Sequence, residues 1–377
     1  MGTYELAENR PHFPPQPCRF SQGHGAGLSS PAEPGIRAPM KKGMILAALV
    51  GLAMAVSLVI YRGAAEVFGA LASTGWGLLF LTLFHIFPLT CSAKGWQVLI
   101  TDHRTRLSQV ILVRWMREGI NNLLPVAQVG GDFVGARLLT FHGVPGGVAG
   151  GSSIVSLTME VLAQFLFTLF GLGLLFLVLG ERESEMLFWM LLAILTALPV
   201  LFGFFIAQRV GFFRIVETFF NRLTKNLQME WLAVGELSGL HEAIQAIYRS
   251  PRALSASAFF HFLSWIVGTG EVWLALYFMG HPISIWDALI LESLGKAVRS
   301  AAFLIPGGLG VQEGGFMLLA PLLGISPEMG LALSLAKRVR EVALGGGALF
   351  AWHAVEGKRL WTHRAKNGKN SGEEKSG

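Results

Sequence analysis

Apolar residues in this chain run on instead of alternating with polar ones. Continuous apolar stretches occupy about residues 43–61, 75–100, 148–180, 186–207, 253–279, 284–305, 309–324 and 329–355. A helix crosses the hydrocarbon core with about 20 apolar residues, so most of these stretches predict spans, and 309–324 is short. The pattern predicts an all-α fold: a polytopic integral membrane protein with six to eight transmembrane helices. Two related peptides interrupt it, Leu124-Pro-Val-Ala-Gln-Val-Gly-Gly-Asp-Phe133 and Ile305-Pro-Gly-Gly-Leu-Gly-Val-Gln-Glu-Gly-Gly-Phe316. Proline removes a backbone donor, and glycine frees the backbone to leave the helix. Lipid cannot satisfy the exposed amides, so such backbone belongs inside protein or beside a water-filled cavity. Paired interruptions in the two halves of a membrane protein point to a substrate path.

Polar residues inside the apolar runs sharpen that expectation. Ser153, Ser156, Glu160, Gln164 and Thr168 share one helical face. A lone glutamate at mid-bilayer costs at least ~2.5 kcal/mol, so Glu160 must face a partner or water. His261, Ser264, Gly268 and Glu271 repeat the arrangement in the fifth run, and Glu292, Lys296 and Arg299 share a side of the sixth. In the last run Lys337, Arg338 and Glu341 lie on one face, with Glu341 one turn beyond Lys337, the spacing of an internal ion pair. The basic groups of the last helices exceed what Glu292 and Glu341 neutralise locally. That calls either for an anionic guest or for counter-charges from Glu160, Glu271, Glu313 and Asp132.

Composition agrees with the pattern. The 377 residues are 52% hydrophobic and 14% charged, against about 25% charged in a soluble domain. The net charge of +6 is read through topology, not nucleic acid, because basic residues flank the runs. Lys41 and Lys42 precede the first, Arg209, Arg214 and Arg222 follow the fourth, and a basic tail fills 358–377. The acidic loop Glu181-Arg-Glu-Ser-Glu185 suits the outside. Both termini are therefore expected in the cytoplasm. Residues 1–39 are rich in Pro, Gly and Ser and read as a disordered leader, leaving 40–357 as the transmembrane domain. Cys18 and Cys91 fit no metal spacing and no disulfide. Trp76, Trp96, Trp189, Trp273, Trp286 and Trp352 fall near expected span ends, where interfacial anchoring is the usual role.

Section 107–145 carries Arg114, Arg117, Glu118, Asn121 and Asn122 before the first broken peptide, and both its ends fall on the cytoplasmic side. A re-entrant hairpin turning near Pro125 answers both facts. Section 284–324 resembles it: Arg117 stands eight residues before Pro125, and Arg299 seven before Pro306. Enzyme motifs are mostly missing. There is no His-Glu-x-x-His, no phosphate-binding loop and no Gly-x-Ser-x-Gly. Gly130-Gly-Asp132 falls short of the Gly-x-Gly-Asp of intramembrane aspartyl proteases, because position 129 is Val. No metal or cofactor is expected.

Arg117-Glu-x-x-Asn-Asn-Leu-Leu-Pro-x-x-Gln-Val-Gly-Gly-Asp132, the Glu160 span, and Pro306-Gly-Gly-Leu-Gly-Val-Gln-Glu-Gly-Gly315 together resemble the transmembrane region of lysylphosphatidylglycerol synthases and its free-standing flippase-like relatives. Within that family the chain is most similar to membrane proteins associated with hopanoid biosynthesis. The resemblance covers about residues 41–363. It implies a bacterial inner-membrane protein that handles lipids, with a hopanoid or an anionic phospholipid as substrate and hopanoid-biosynthesis enzymes as partners. It does not imply aminoacylation, which belongs to a separate soluble domain of the synthases. The expected function is lipid translocation at a polar midplane site. Gln128, Asp132, Gln312 and Glu313 would contact headgroup oxygens there, and Arg117, Lys296 and Arg299 would supply charge. Glu160 and Glu271 would pair with them or carry a coupling proton, and Lys337 and Glu341 would complete the site. The rival from another class is an intramembrane enzyme modifying the hopanoid side chain. A third possibility is a scaffold for biosynthetic enzymes.

Overall fold

The computed structural model describes residues 64–100, 103–124, 130–179, 239–302 and 305–373, with isolated positions between 53 and 60. The chain divides into two units, Met1–Pro39 and Met40–Gly377, and every described residue belongs to the second. The leader, most of run 43–61, all of run 186–207, the acidic loop and residues 125–129, with Gln128, lie outside the described residues.

The described elements are helices: α1 Ala64–Ser73, α2 Gly77–Phe84, α3 Ile86–Gln97, α4 Leu107–Leu123, α5 Gly130–Thr140, α6 Gly146–Leu179, α7 Leu240–Tyr248, α8 Pro251–Phe278, α9 Ile285–Ala301, α10 Val311–Leu319 and α11 Pro327–Glu373. Short 3-10 turns at Pro306–Gly308 and Ala320–Leu323 flank α10. Among the described residues, three stretches are long and apolar enough to cross a membrane: Gly77–Gln97, Gly146–Val178 and Pro251–Phe278. The chain is an all-α polytopic membrane protein. Helices α9 and α11 carry the charged stripes; α9 is 17 residues long, and Lys337, Arg338, Arg340 and Glu341 interrupt the apolar run of α11.

Run 75–100 is not one smooth helix. It breaks at His85, between α2 and α3. Pro88 explains the break, because it has no N–H to give the Phe84 carbonyl and its ring crowds that group. The turn is tied to α8, where Ser264 Oγ donates to the Pro88 carbonyl at 2.8 Å. Ser250 caps α8 by accepting from Ala253 N (3.4 Å), with Pro251 in its first turn. Ser284 caps α9 by accepting from Asp287 N at 3.1 Å. From the polar section 208–252, the described part is the amphipathic α7, which buries Leu240, Ile244 and Ile247 against Val155 and Met159 of α6.

Two helical hairpins answer the internal likeness seen in the sequence. Helix α4 stops where Leu124 turns extended (φ −96°, ψ 146°), as a residue before proline prefers. Helix α5 then runs back along α4 so closely that a Cβ on Gly131 would lie 2.2 Å from the Arg117 carbonyl oxygen. Asn121 caps α5 from the neighbouring helix: its Oδ1 accepts from Gly131 N (2.7 Å), and its Nδ2 donates to Asp132 (3.1 Å). Helices α9 and α10 make the second hairpin. Its turn needs positive φ at Gly307, Gly308 and Gly310 (62°, 61° and 77°), a region that only glycine enters cheaply. Glu313 caps α10 by accepting from Gly310 N at 2.7 Å. The hairpins meet where Arg299 Nη2 donates to Asn122 Oδ1 (3.0 Å).

Two large apolar clusters flank the space between the hairpins. One joins α1, α2, α8, α9, α10 and α11 around Phe316 and Leu331. The other joins α3, α4, α5 and α6 around Trp96, Val113 and Leu138. Trp96 overturns its expected role as an interfacial anchor. It is fully buried, its indole donates to Ser152 Oγ (3.3 Å), and the Arg117 guanidinium stands 5.4 Å from its ring. The wide, flat surface of an indole is as useful under a buried cation as at a membrane surface. Trp76 and Trp286 are exposed, as an anchoring role requires.

Candidate functional site

Between the clusters lies a cavity of about 240 Å³, against the roughly 10–15 Å³ that admits one water. Its wall is charged although it sits among apolar spans. Each acid is held by a base from another helix. Glu160 of α6 accepts from Arg114 of α4 through both oxygens (2.5 and 2.9 Å) and from Arg117 Nη2 (3.1 Å). Arg117 also pairs with Asp132 of α5 at 2.7 Å. Glu271 of α8 pairs with Arg340 of α11. Glu341 of α11 takes Arg299 of α9 and, at 3.0 Å, Arg338. Burying an ion is expensive, and only such mutual, multiply bonded arrangements offset the cost.

Of the sequence-predicted site residues, Arg117, Asp132, Glu160, Glu271, Lys296, Arg299 and Glu341 line this one cavity. Three stand behind its wall. Gln312 accepts from Arg299 Nη1 (2.7 Å) and donates to Ser334 (3.1 Å). Glu313 accepts from Arg338 Nε (2.8 Å) as well as from Gly310 N. Lys337 is buried against Glu292. That last contact corrects the expected pairing of Lys337 with Glu341 along one helix. On α11 the two side chains turn to different neighbours, because Glu292 and Arg299 of α9 present the opposite charges from across the gap. Gln128 falls outside the described residues.

The described cations need no anionic guest to balance them. Arg114, Arg117, Arg299, Arg338, Arg340, Lys296 and Lys337 face Glu118, Asp132, Glu160, Glu271, Glu292, Glu313 and Glu341. The counter-charge alternative therefore holds, and the expectation of surplus positive charge does not. Several polar atoms of the residues that line the cavity are nevertheless left without a close partner. Arg114 Nε, Arg117 Nη1, Arg340 Nε and Trp265 Nε1 are buried without a hydrogen-bond partner. Lys296 Nζ has Glu292 only at 3.9 Å and the Trp265 ring at 5.2 Å. Beside it Gln164 of α6 donates to Ser300 of α9 at 2.5 Å. A guest with hydroxyl or other oxygen acceptors would satisfy the Lys296 ammonium, which is partly exposed in the cavity wall.

Sequence reasoning passed over His85, which lines the cavity with Glu118. Its available signal was a histidine three residues before a proline in an apolar run. Arg114, Asn121 and Asn122 were visible as polar residues of α4 without being assigned to the site. Among the described residues no cluster of His, Cys, Asp and Glu could hold a metal ion.

Residues 44–345 match the family model for the lysylphosphatidylglycerol synthase TM region. The chain belongs to that family, which ties it to the handling of membrane lipids. No curated protein and no solved structure matches it.

Proposed function

We propose that the cavity receives the polar headgroup of a lipid and carries it between leaflets of the bacterial inner membrane while the apolar body stays in the bilayer. The observation that carries this is a water-sized-to-headgroup-sized space, walled by ion-paired side chains, among helices apolar enough to span. A hopanoid bearing a polyhydroxylated side chain is the proposed cargo. Its hydroxyl oxygens suit the Lys296 ammonium in the cavity wall, and its ring system suits hydrocarbon. The matched motifs of the two hairpins support the same assignment. In this reading both hairpins dip into the membrane from the cytoplasmic side, the second turning at Pro306–Gly308. Both termini are cytoplasmic, and residues 1–39 and 358–377 flank a transmembrane domain at 40–357. Hopanoid-biosynthesis enzymes are the partners that would deliver the cargo.

Gly268 of α8 supplies the test. It lines the cavity, and a Cβ built there meets nothing within 4 Å. Gly268→Leu therefore introduces an apolar side chain at the cavity wall from a position with room for its Cβ. Full-length protein reconstituted in vesicles of phosphatidylglycerol and phosphatidylethanolamine would be assayed for leaflet exchange of a labelled polyhydroxylated hopanoid and of labelled phosphatidylglycerol. Wild type should speed hopanoid exchange over empty vesicles, and Gly268→Leu and Lys296→Met should each cut that acceleration at least tenfold. Equal acceleration by wild type and the plugged variant would remove the cavity from the path. Preference for phosphatidylglycerol would keep the path and change the cargo.

A further inference from the structure

His85 occupies a place that the headgroup reading does not use. It sits at the break between α2 and α3, and its ring faces charged groups from three other helices. Its Nε2 is 2.9 Å from Glu118 Oε1 of α4. Its Nδ1 is 2.5 Å from Glu271 Oε1 of α8 and 2.7 Å from Arg340 Nη1 of α11. Arg340 in turn pairs with Glu271 and reaches Glu341 at 3.5 Å. The partners at Nδ1 are of opposite kinds. A carboxylate there suits a ring nitrogen that bears a proton. A guanidinium N–H there suits a bare one. A histidine kept in one state needs one kind of partner at each nitrogen. This ring has a partner ready for either state.

The location fits passage as well as binding. His85, Glu118, Asn122, Arg340 and Glu341 line the main cavity and also a second one of about 10 Å³ between α4 and α11, near Trp115 and Gly345. That volume is about one water. The imidazole thus stands in the partition between two spaces that can hold water.

We propose that His85 is a proton-binding site that couples lipid movement to a proton gradient. The inference rests on the reading of the main cavity as a headgroup passage. One proton arrives on Nε2 from the Glu118 side, and one leaves Nδ1 to the Glu271 carboxylate and on to cavity water. Each turnover binds one proton and releases one, with no bond to the lipid made or broken. While Nδ1 is bare, Arg340 donates to it. When Nδ1 is protonated, Arg340 returns wholly to Glu271 and Glu341. The proton therefore changes how α11 is held against α3 and α8, the helices that frame the cavity.

The test uses the same vesicles, with a pH-sensitive dye inside and both labelled lipids measured in parallel. Wild type should move at least one of the lipids several-fold faster under an imposed pH gradient than at symmetric pH, and a protonophore should abolish the difference. Proton entry reported by the dye should rise when that lipid is present. His85→Gln, which keeps a polar side chain and cannot relay a proton, should move lipid at one rate with and without the gradient, whatever that rate is. Wild-type rates that ignore the gradient for both lipids overturn the coupling and leave the headgroup path standing. A gradient response retained in His85→Gln also overturns it. Wild type that moves neither lipid under any condition removes the path and the coupling together. The wild-type comparison needs no variant to fold.

Discussion

Lys337 and Glu292 offer a sharp test of how the charged interior is held. Both are almost wholly buried, at 1% and 2% exposure, and they pair across the gap between α11 and α9. Apart from Glu292, Lys337 has the Phe316 ring at 5.6 Å. Glu292→Leu therefore leaves a buried ammonium without its carboxylate. Removing one partner of a buried pair costs about 3–5 kcal/mol, which is roughly two to four orders of magnitude in the unfolding equilibrium. Lys337→Met should cost less, because Lys296 at 3.9 Å still faces Glu292. The double variant Glu292→Leu with Lys337→Met replaces the pair with apolar groups of similar bulk. Such exchanges come out neutral or more stable by about 1–4 kcal/mol. Unfolding by graded denaturing detergent, followed by tryptophan fluorescence, gives all four stabilities and so closes a double-mutant cycle. The reasoning fails if Glu292→Leu stays within about 1 kcal/mol of wild type, or if the double variant is no more stable than the weaker single one.

Four further outcomes are expected in the same assay. Gly131→Ala should destabilise by about 1–3 kcal/mol or more, since its Cβ would meet the Arg117 carbonyl at 2.2 Å. Gly173→Ala, which meets nothing within 4 Å, should stay within about 0.5 kcal/mol. Trp96→Phe should cost about 1–2 kcal/mol by losing the bond to Ser152 and weakening the surface beneath Arg117; an unchanged midpoint would count against that contact. Arg299→Lys should cost about 1–3 kcal/mol, because an ammonium cannot serve Asn122, Gln312 and Glu341 together as the planar fork does. A neutral result would show that the hairpins do not depend on that junction.

Much of the architecture was legible along the chain. Long apolar runs determine helices that span, because lipid leaves the backbone no partner but itself. The stripe Ser153, Ser156, Glu160, Gln164 was visible as one face of α6, since helical periodicity is a local property. Its members face polar neighbours: Ser156 meets His261 at 3.1 Å, Ser153 donates to the Asp132 carbonyl at 3.3 Å, Glu160 accepts from Arg114 and Gln164 donates to Ser300. Of the two broken peptides, the second is described at its turn, and it needs the glycines it has; the break of the first lies outside the described residues.

Tertiary structure alone decided which charge meets which. Spacing placed Lys337 and Glu341 on one helix face, but packing brings Glu292 and Arg299 of α9 up to that face, so Lys337 took Glu292 and Glu341 took Arg299. Glu271 and Glu313 could be named as counter-charges, but their partners could not, because Arg340 and Arg338 lie 69 and 25 residues away along the chain. His85 carried almost no signal of its own. Its meaning comes from α4, α8 and α11 converging on one ring at a proline-made break, and chain order does not record that convergence.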